Sequence, residues 1–296
     1  MGSRRRTPRQ RFSERQRRRH ETLLDRGTDE HYEDTELYDY EYAERVDDIR
    51  WYRKLAGAHL DEGARIVELG AGTGRITGPL ARDGFEVVAV DRKVDMLEGL
   101  KRRIERHSYQ ERIQPLEADM RELPLRDRSA DMVISPFNAL MHLYTWQDLR
   151  RCFEEAYRIL KPKGLFAFDV QLPDLDWLMW DPDERHAVTR FVHPETGEKL
   201  IYSTNHRYDP ETQVCHIRIF YDEAPPRGRK FRPPAKPKRL VHLAHRQIFP
   251  EELRMLVDVV GFNLVSLSGD FRDVPLREGC DSQVAICSKP ARTRRA

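Results

Sequence analysis

Cysteine is scarce in this chain: four residues in 296, Cys152, Cys215, Cys280 and Cys287, with no CxxC pair among them. That usage fits a reducing cytoplasm and argues against a structural zinc site. Long hydrophobic runs are missing too. No stretch approaches the ~20 apolar residues that a membrane-crossing helix needs. The opening "MGSRRRTPRQRFSERQRRRHE" has no apolar segment of the kind a secretory signal requires. Net charge is close to nil, 52 Lys and Arg against 50 Asp and Glu. No internal repeat is visible.

What is present is unevenly spread. Arginines crowd the first twenty residues and "DEHYEDTELYDYEYAE" follows at once. The reading taken here is a solvated, disordered basic tail over residues 1–30. A nucleic-acid arm is the competing reading, because clustered arginines neutralise phosphates. The tail has almost no aromatics for base stacking, and the acidic stretch competes for its charge. The length allows one large α/β domain with an insertion, or two small domains.

Residues from Thr35 to His59 read as a helix, with Tyr38, Tyr42, Val46, Ile49 and Leu55 near one face. Strand and helix then alternate. "ARIVELG", "FEVVAVD", "RIQPLEAD", "ADMVISPF" and "LFAFDV" are apolar strands; "RITGPLARDG", "KVDMLEGLKRRIERH" and "TWQDLRRCFEEAYRILKPKG" are the helices among them. Strict alternation implies a parallel sheet covered on both faces, with the strand ends along one rim. The alternation breaks after Pro173. "EKLIYSTNHRYD" and "QVCHIRIFYDE" read as strands of an antiparallel insertion, and "APPRGRKFRPPAKPKR" as a basic, Pro-rich loop. "FPEELRMLVDVVGF" restores a helix, with Pro250 in its first turn and Gly261 at its end. "NLVSLSGD" and "SQVAICSK" close the chain as two strands.

The glycine loop is "VELGAGTGR", beginning at Val67. A dinucleotide fingerprint needs G-x-G-x-x-G. Here Gly70, Gly72 and Gly74 are spaced G-x-G-x-G, and Arg75 stands where the third glycine would fall. No Gly-Lys-Ser/Thr follows, so it is not a P-loop either. Glu68, just before the loop, would repel a pyrophosphate and suit an ammonium or sulfonium. Asp91 ends the second strand, where an acid can accept from both ribose hydroxyls. A nucleoside with a cationic amino-acid tail and no phosphate satisfies both carboxylates. That describes S-adenosylmethionine.

With these motifs in order, the region from about Arg65 to Pro173 resembles the class I S-adenosylmethionine-dependent methyltransferase family, small-molecule type. "VVAVDRKVDML", "EADM", "DMVISPFNALMHL" and "ILKPKGLFAFDV" match its later motifs; Lys163 replaces a glycine usual in the last, which implies a stiffer turn. The resemblance implies a Rossmann-like, seven-stranded, mostly parallel sheet with helices on both faces and an antiparallel β insertion after strand five. It implies a domain over residues 31–296: an N-terminal lid helix at 31–60, a cofactor-binding core at 61–173, an acceptor-covering insertion at 174–248, and a final helix and strands at 249–290. It also implies roles. Gly70, Gly72 and Gly74 let the backbone approach the methionine part. Glu68 orients the loop or reaches the amino group through water. Asp91 binds the ribose. Arg92 and Met96 flank the adenine, with Met96 equally suited to the core. Asp119 accepts from the exocyclic amine, the Met120 backbone serves a ring nitrogen, and the Ser135 carbonyl faces the ammonium. Tyr38, Tyr42, Trp51 and Arg53 are lid candidates, with ordinary helix packing as the other reading of the aromatics.

The implied activity is methyl transfer to N or O of a small-molecule acceptor. "SPFNALMHLYTW" should lie beside the methyl, with Asn138, His142 and Tyr144 as its polar groups. His142 and Tyr144 are the catalytic candidates; His142 can act as base or be satisfied by a nearby carbonyl. Asp169 can face the pocket, and His206 and Tyr208 can line the acceptor site. His242 and His245 lack a third ligand, so no metal is expected. RNA or protein methylation through the basic segments, and a cofactor-binding regulatory subunit without transfer activity, are the alternatives. Neither the acceptor nor the oligomeric state is encoded legibly.

Overall fold

The computed structural model describes residues 22–226 and 228–291. The disordered-tail expectation for residues 1–21 lies outside the described residues. Residues 22–29, assigned to the same tail, are helical. A 3-10 turn follows at Glu30–Tyr32. Then come α1 (Thr35–Tyr42), α2 (Asp47–His59), β1 (Arg65–Leu69), α3 (Thr77–Arg82), β2 (Glu86–Asp91), α4 (Val94–Ile104), β3 (Ile113–Glu117), β4 (Ala130–Ser135), α5 (Trp146–Ile159) and β5 (Leu160–Gln171). The insertion carries α6 (Leu175–Leu178), β6 (His186–Val192), β7 (Lys199–Asp209), β8 (Val214–Glu223) and β9 (Arg239–Arg246). The chain closes with α7 (Pro250–Val260), β10 (Asn263–Ser268) and β11 (Ser282–Ser288).

The described residues divide into two compact units, one of residues 22–34 with 175–226 and 228–245, the other of 35–174 with 246–291. In this division residues 31–34 group with the insertion, and 246–248 do not.

The larger unit holds a seven-stranded sheet in the order β10-β11-β5-β4-β1-β2-β3. Its β1–β2, β1–β4, β2–β3 and β4–β5 pairs are parallel, and β11 runs antiparallel to β5 and β10. The chain leaves β1 toward β2 and later returns to place β4 on its other side. Such a reversal of strand order opens a crevice outside the carboxyl ends of the central strands. The central strands are apolar because helices cover both faces: Ile66, Val67 and Leu69 of β1 and Met132, Val133 and Ile134 of β4 are at most 1% exposed. Helix α5 shows how the flanking layer is written. Thr145 caps it by accepting from Asp148 N at 3.1 Å. Leu149, Cys152, Phe153, Ala156 and Ile159 form its buried stripe. Helix α7 starts at Pro250 and ends at Gly261, whose φ of 99° is the left-handed C-terminal cap that glycine adopts without strain.

Two local expectations change. The helix expected over Thr35–His59 is two helices, broken between Tyr42 and Asp47. The Lys-Pro-Lys-Gly segment, read as the end of α5, is strand instead: β5 begins at Leu160, and a register shift against β4 absorbs the extra residues. Lys163 takes the left-handed conformation there, with φ 68°.

The smaller unit contains a four-stranded sheet, β6-β7-β8-β9. The β6–β7 and β7–β8 pairs are antiparallel. Gly27 of the 22–29 helix lies against Ala244, where an added Cβ would come within 2.6 Å of the alanine Cβ. The Glu30 carboxylate accepts from His242 N at 2.9 Å and faces its Nδ1 at 2.8 Å. His206, read as an acceptor-site residue, is 4% exposed, stacks on Trp177 at 3.9 Å and meets its carbonyl at 2.8 Å. It is a satisfied core histidine of this unit. No helix among the described residues is long and apolar enough to cross a membrane.

Candidate functional site

The site is built on the carboxyl ends of β1, β2 and β4. Gly70, Gly72 and Gly74 have φ of 74°, 55° and 80°, a left-handed run that only glycine adopts freely. A Cβ on Gly70 would come within 2.6 Å of Ala139 Cβ, and one on Gly74 within 2.0 Å of Leu100 Cδ1. A Cβ on Gly72 would meet nothing within 4 Å, so the middle of the loop opens on free space.

The loop amides are already occupied. Gly70 and Ala71 both donate to the Val90 carbonyl at 2.9 Å, and Gly74 donates to Ala71 O at 3.0 Å. Gly72 N donates to the Asp91 Oδ2 carboxylate oxygen at 2.8 Å, while Lys93 N donates to Oδ1 at 2.9 Å. A pyrophosphate binds to a glycine loop through free N–H groups at the helix start. Here an acid side chain takes the central one. Burial raises the Asp91 carboxyl above its ordinary range, and those N–H bonds pull it back.

Glu68 is 1% exposed and accepts from Thr77 Oγ1 at 2.5 Å. Desolvation pushes its carboxyl up to about 8, against the pull of Thr77 and Arg75. Near neutral pH it is therefore mostly protonated, so it does not present the open negative charge that its sequence position suggests. Its contact supports the other expected role, orienting the loop against α3. Met96 is buried at 2%. Arg92 is exposed, just past the end of β2.

Asp119 follows β3 in a tight turn, with Glu122 N donating to its carbonyl at 3.0 Å. Arg121 engages both of its carboxylate oxygens, at 2.9 and 2.6 Å, and reaches Asp148 at 2.8 Å. The Arg121 bonds hold the Asp119 carboxyl below its usual range. A carboxylate has about four acceptor positions, so the clamp leaves room for an amine. Met120 is half-buried, and its Cε lies 3.7 Å from where a Gly70 Cβ would stand. Ser135 ends β4 fully buried, its hydroxyl donating to Leu69 O at 3.3 Å.

After β4 the chain turns sharply through Phe137 and Asn138, and a 3-10 turn spans Ala139–His142. Ala139 packs on Gly70, which brings this segment to the loop. His142 Nδ1 and the Tyr144 hydroxyl are 3.5 Å apart, at the limit of a hydrogen bond. Asn138 is not a free polar group: its Oδ1 accepts from Gln171 N at 2.7 Å.

The N-terminal helices reach the loop through residues the sequence did not mark. Asp39 of α1 accepts from Thr73 Oγ1 at 2.6 Å and pairs with Arg103 at 2.5 Å. Arg75 forms a two-point ion pair with Asp48 of α2 and donates to Arg45 O at 2.8 Å. The residue that breaks the dinucleotide spacing is thus the anchor of α2. Tyr38, Tyr42 and Phe137 run edge-to-face at 4.9 and 4.8 Å, with the Arg75 guanidinium 4.7 Å from the Phe137 ring. Two other lid candidates lie apart from this row. Trp51 packs on Tyr52 and Phe271, and Arg53 pairs with Asp83. The missed signal was paired: an acid on each N-terminal helix, and a hydroxyl and a guanidinium at alternate loop positions. Among the described residues no group of three or more His, Cys, Asp or Glu could hold a metal.

Comparison with known proteins follows the same outline. Residues 66–164 match a family model described as a methyltransferase domain. The Bacillus subtilis protein YqeM, a methyltransferase by name, is 36% identical over 119 residues, which are 40% of this chain and 47% of that one. The chain spans about half the length of that curated relative. Among solved structures, the CcbJ methyltransferase from Streptomyces caelestis superposes with a TM-score of 0.70 at 22% identity, over 88% of this chain and 98% of that one. CalS10, an amino pentose methyltransferase from Micromonospora echinaspora solved with S-adenosylmethionine bound, superposes with a TM-score of 0.57 at 18% identity, over 84% of this chain and 96% of that one. At these identities the two structures share the fold.

Proposed function

We propose that the chain is a class I S-adenosylmethionine-dependent methyltransferase that transfers a methyl group to a nitrogen or oxygen of a small-molecule acceptor, a reading supported by the methyltransferase-domain match at residues 66–164 and by the relative YqeM. The observation that carries the donor half is the Gly72–Asp91 bond at 2.8 Å. It gives the loop's central N–H to a carboxylate, so the loop presents acid where a dinucleotide would need amide donors. The open space at Gly72 and the acid at Asp91 fit an adenosine ribose, and the Asp119–Met120 turn fits its base. The methionine part would lie along Gly70–Gly74 and the Ser135 carbonyl. When bound, S-adenosylmethionine supplies an activated methyl on a sulfonium.

The protein's share is then alignment and exclusion of water, and orientation alone lowers barriers by roughly 7–11 kcal/mol. The 139–144 segment, pressed on Gly70 through Ala139, is where an acceptor would be aligned. His142 takes the acceptor's proton on a ring nitrogen when the acceptor must lose one, and the Tyr144 hydroxyl, 3.5 Å away, steadies the imidazole. The small-molecule class is supported by the amino-sugar acceptor named for CalS10 and by the antiparallel unit following β5.

The test is an acceptor panel of amines, amino sugars and hydroxy compounds, scored by S-adenosylhomocysteine release and by product mass. One or more small acceptors should gain a methyl, and His142→Ala should lower turnover by roughly 10²–10⁴-fold. Turnover with RNA or a protein and with no small molecule would overturn the proposal.

A further inference from the structure

Asp169 lies near the end of β5 and is 4% exposed. Its Oδ1 accepts the Tyr52 hydroxyl of α2 at 2.7 Å. Its two carboxylate oxygens also accept from Phe137 N, at 2.9 and 3.0 Å. Its main-chain carbonyl accepts from Asn138 N at 3.3 Å, and Asn138 Oδ1 in turn accepts from Gln171 N at 2.7 Å. One acid thus holds two consecutive residues, and the second of them ties back to the same strand.

Those two residues are strained. Phe137 and Asn138 have φ of 55° and 63°. Asparagine visits the left-handed region routinely; a phenylalanine there is an outlier. Such conformations persist only where the surroundings over-determine them. The next residue, Ala139, is the one packed on Gly70. Relaxation of Phe137 would therefore shift the whole 139–144 segment relative to the glycine loop.

We propose that Asp169 and Tyr52 form a positioning pair: Tyr52 aims the Asp169 carboxylate, which holds the Phe137–Asn138 turn left-handed and so sets the 139–144 segment against the cofactor loop. This rests on the methyl-donor reading of that loop. Neither residue touches reacting atoms in this scheme. The groups facing Asp169 are Tyr52 and Asp48 from α2 and Arg75 from the loop, with Glu68 beyond Tyr52. Burial pushes the Asp169 carboxyl up to about 6, with the Tyr52 and Phe137 bonds pulling it down. Above that value the anion accepts from both donors. Below it, protonation removes one acceptor position and loosens the turn.

The test uses the full chain, Asp169→Asn and Tyr52→Phe, with Arg53→Ala on the surface as control. Two readouts are taken: amide hydrogen exchange at Phe137 and Asn138 in the ligand-free protein, and S-adenosylhomocysteine affinity from about pH 5 to about pH 8. Wild-type affinity should fall as pH drops through about 6. Asp169→Asn should bind about tenfold more weakly, as expected for one lost charge-assisted bond, with no step in that window. Tyr52→Phe should exchange faster at both amides and move the step to higher pH, because the bond that lowers the Asp169 pKa is gone. If Asp169→Asn fails to fold, Tyr52→Phe decides alone. Folded variants with wild-type exchange at 137–138 and an unchanged pH profile would overturn the pair. A wild type that binds no S-adenosylhomocysteine refutes the donor reading instead, and the exchange data still decide the pair.

Discussion

At Glu68 the protein buries an acid with one hydroxyl partner, and the consequence is a pH dependence of a definite sign. The folded-state pKa of about 8 stands above the ordinary 4.5. Between those values the folded chain keeps a proton that the unfolded chain has released. The stability contributed therefore declines as pH rises through the window, by up to about 1.4 kcal/mol per unit. Glu68→Gln keeps the shape and lacks the decline. Urea midpoints measured near both ends of the window should show the variant gaining on the wild type as pH rises; parallel curves would contradict it. Asp91 differs in its partners: its two oxygens accept from the Gly72 and Lys93 amides of the loop and the turn after it. Asp91→Ala should weaken S-adenosylhomocysteine binding by on the order of 1–3 kcal/mol, read by calorimetry, because a charged acceptor is lost. Unchanged affinity would move the ribose elsewhere. The glycines and Asp91 were legible as strand-end residues because their spacing from a strand fixes their place, and Asp119 came with the resemblance of "EADM" to a family motif. The neutralised state of Glu68 was not, since burial by α3 is a tertiary effect. Nor was the Asp169–Phe137 bond, which joins residues 32 apart in sequence.

The expected single N-terminal helix breaks where a distant charge intervenes. Nothing in "AERV", residues 43–46, breaks a helix by propensity. The break between α1 and α2 frees the Arg45 carbonyl, and the Arg75 guanidinium occupies it at 2.8 Å. In a continuous helix that oxygen would accept from the amide four residues on. The Arg75–Asp48 pair beside it is buried, with side chains 12% and 5% exposed. Removing one partner of a buried pair strands the other charge, at a cost of about 3–5 kcal/mol. Arg75→Ala should therefore destabilise the protein by about that amount in chemical denaturation and speed amide exchange over α2. A loss within the range of an exposed pair, below about 1 kcal/mol, would show that the latch contributes little. Helices α4, α5 and α7 were legible because their buried stripes recur at helical spacing and their ends carry caps. The helix at 22–29 was not, because it shows no apolar stripe of its own.

At the scale of the molecule, the strand–helix alternation from Arg65 onward implied the parallel core, and the seven-stranded sheet came with the family resemblance; the antiparallel direction of the closing pair is seen in the structure. The central strands β1, β2, β4 and β5 are apolar through their buried stretches, which a sheet covered on both faces hides. The division into units was less legible. Residues 22–34 join the insertion through contacts such as Glu30–His242 and Arg239–Asp34, pairs more than two hundred residues apart. The central claim concerns what the glycine loop holds. Calorimetric titration of the whole chain with S-adenosylmethionine, S-adenosylhomocysteine and NAD tests it most directly. The account predicts micromolar binding of both sulfur nucleosides and none of NAD, because Asp91 occupies the loop amide that a pyrophosphate would need. Binding of NAD with no binding of either sulfur nucleoside would contradict it.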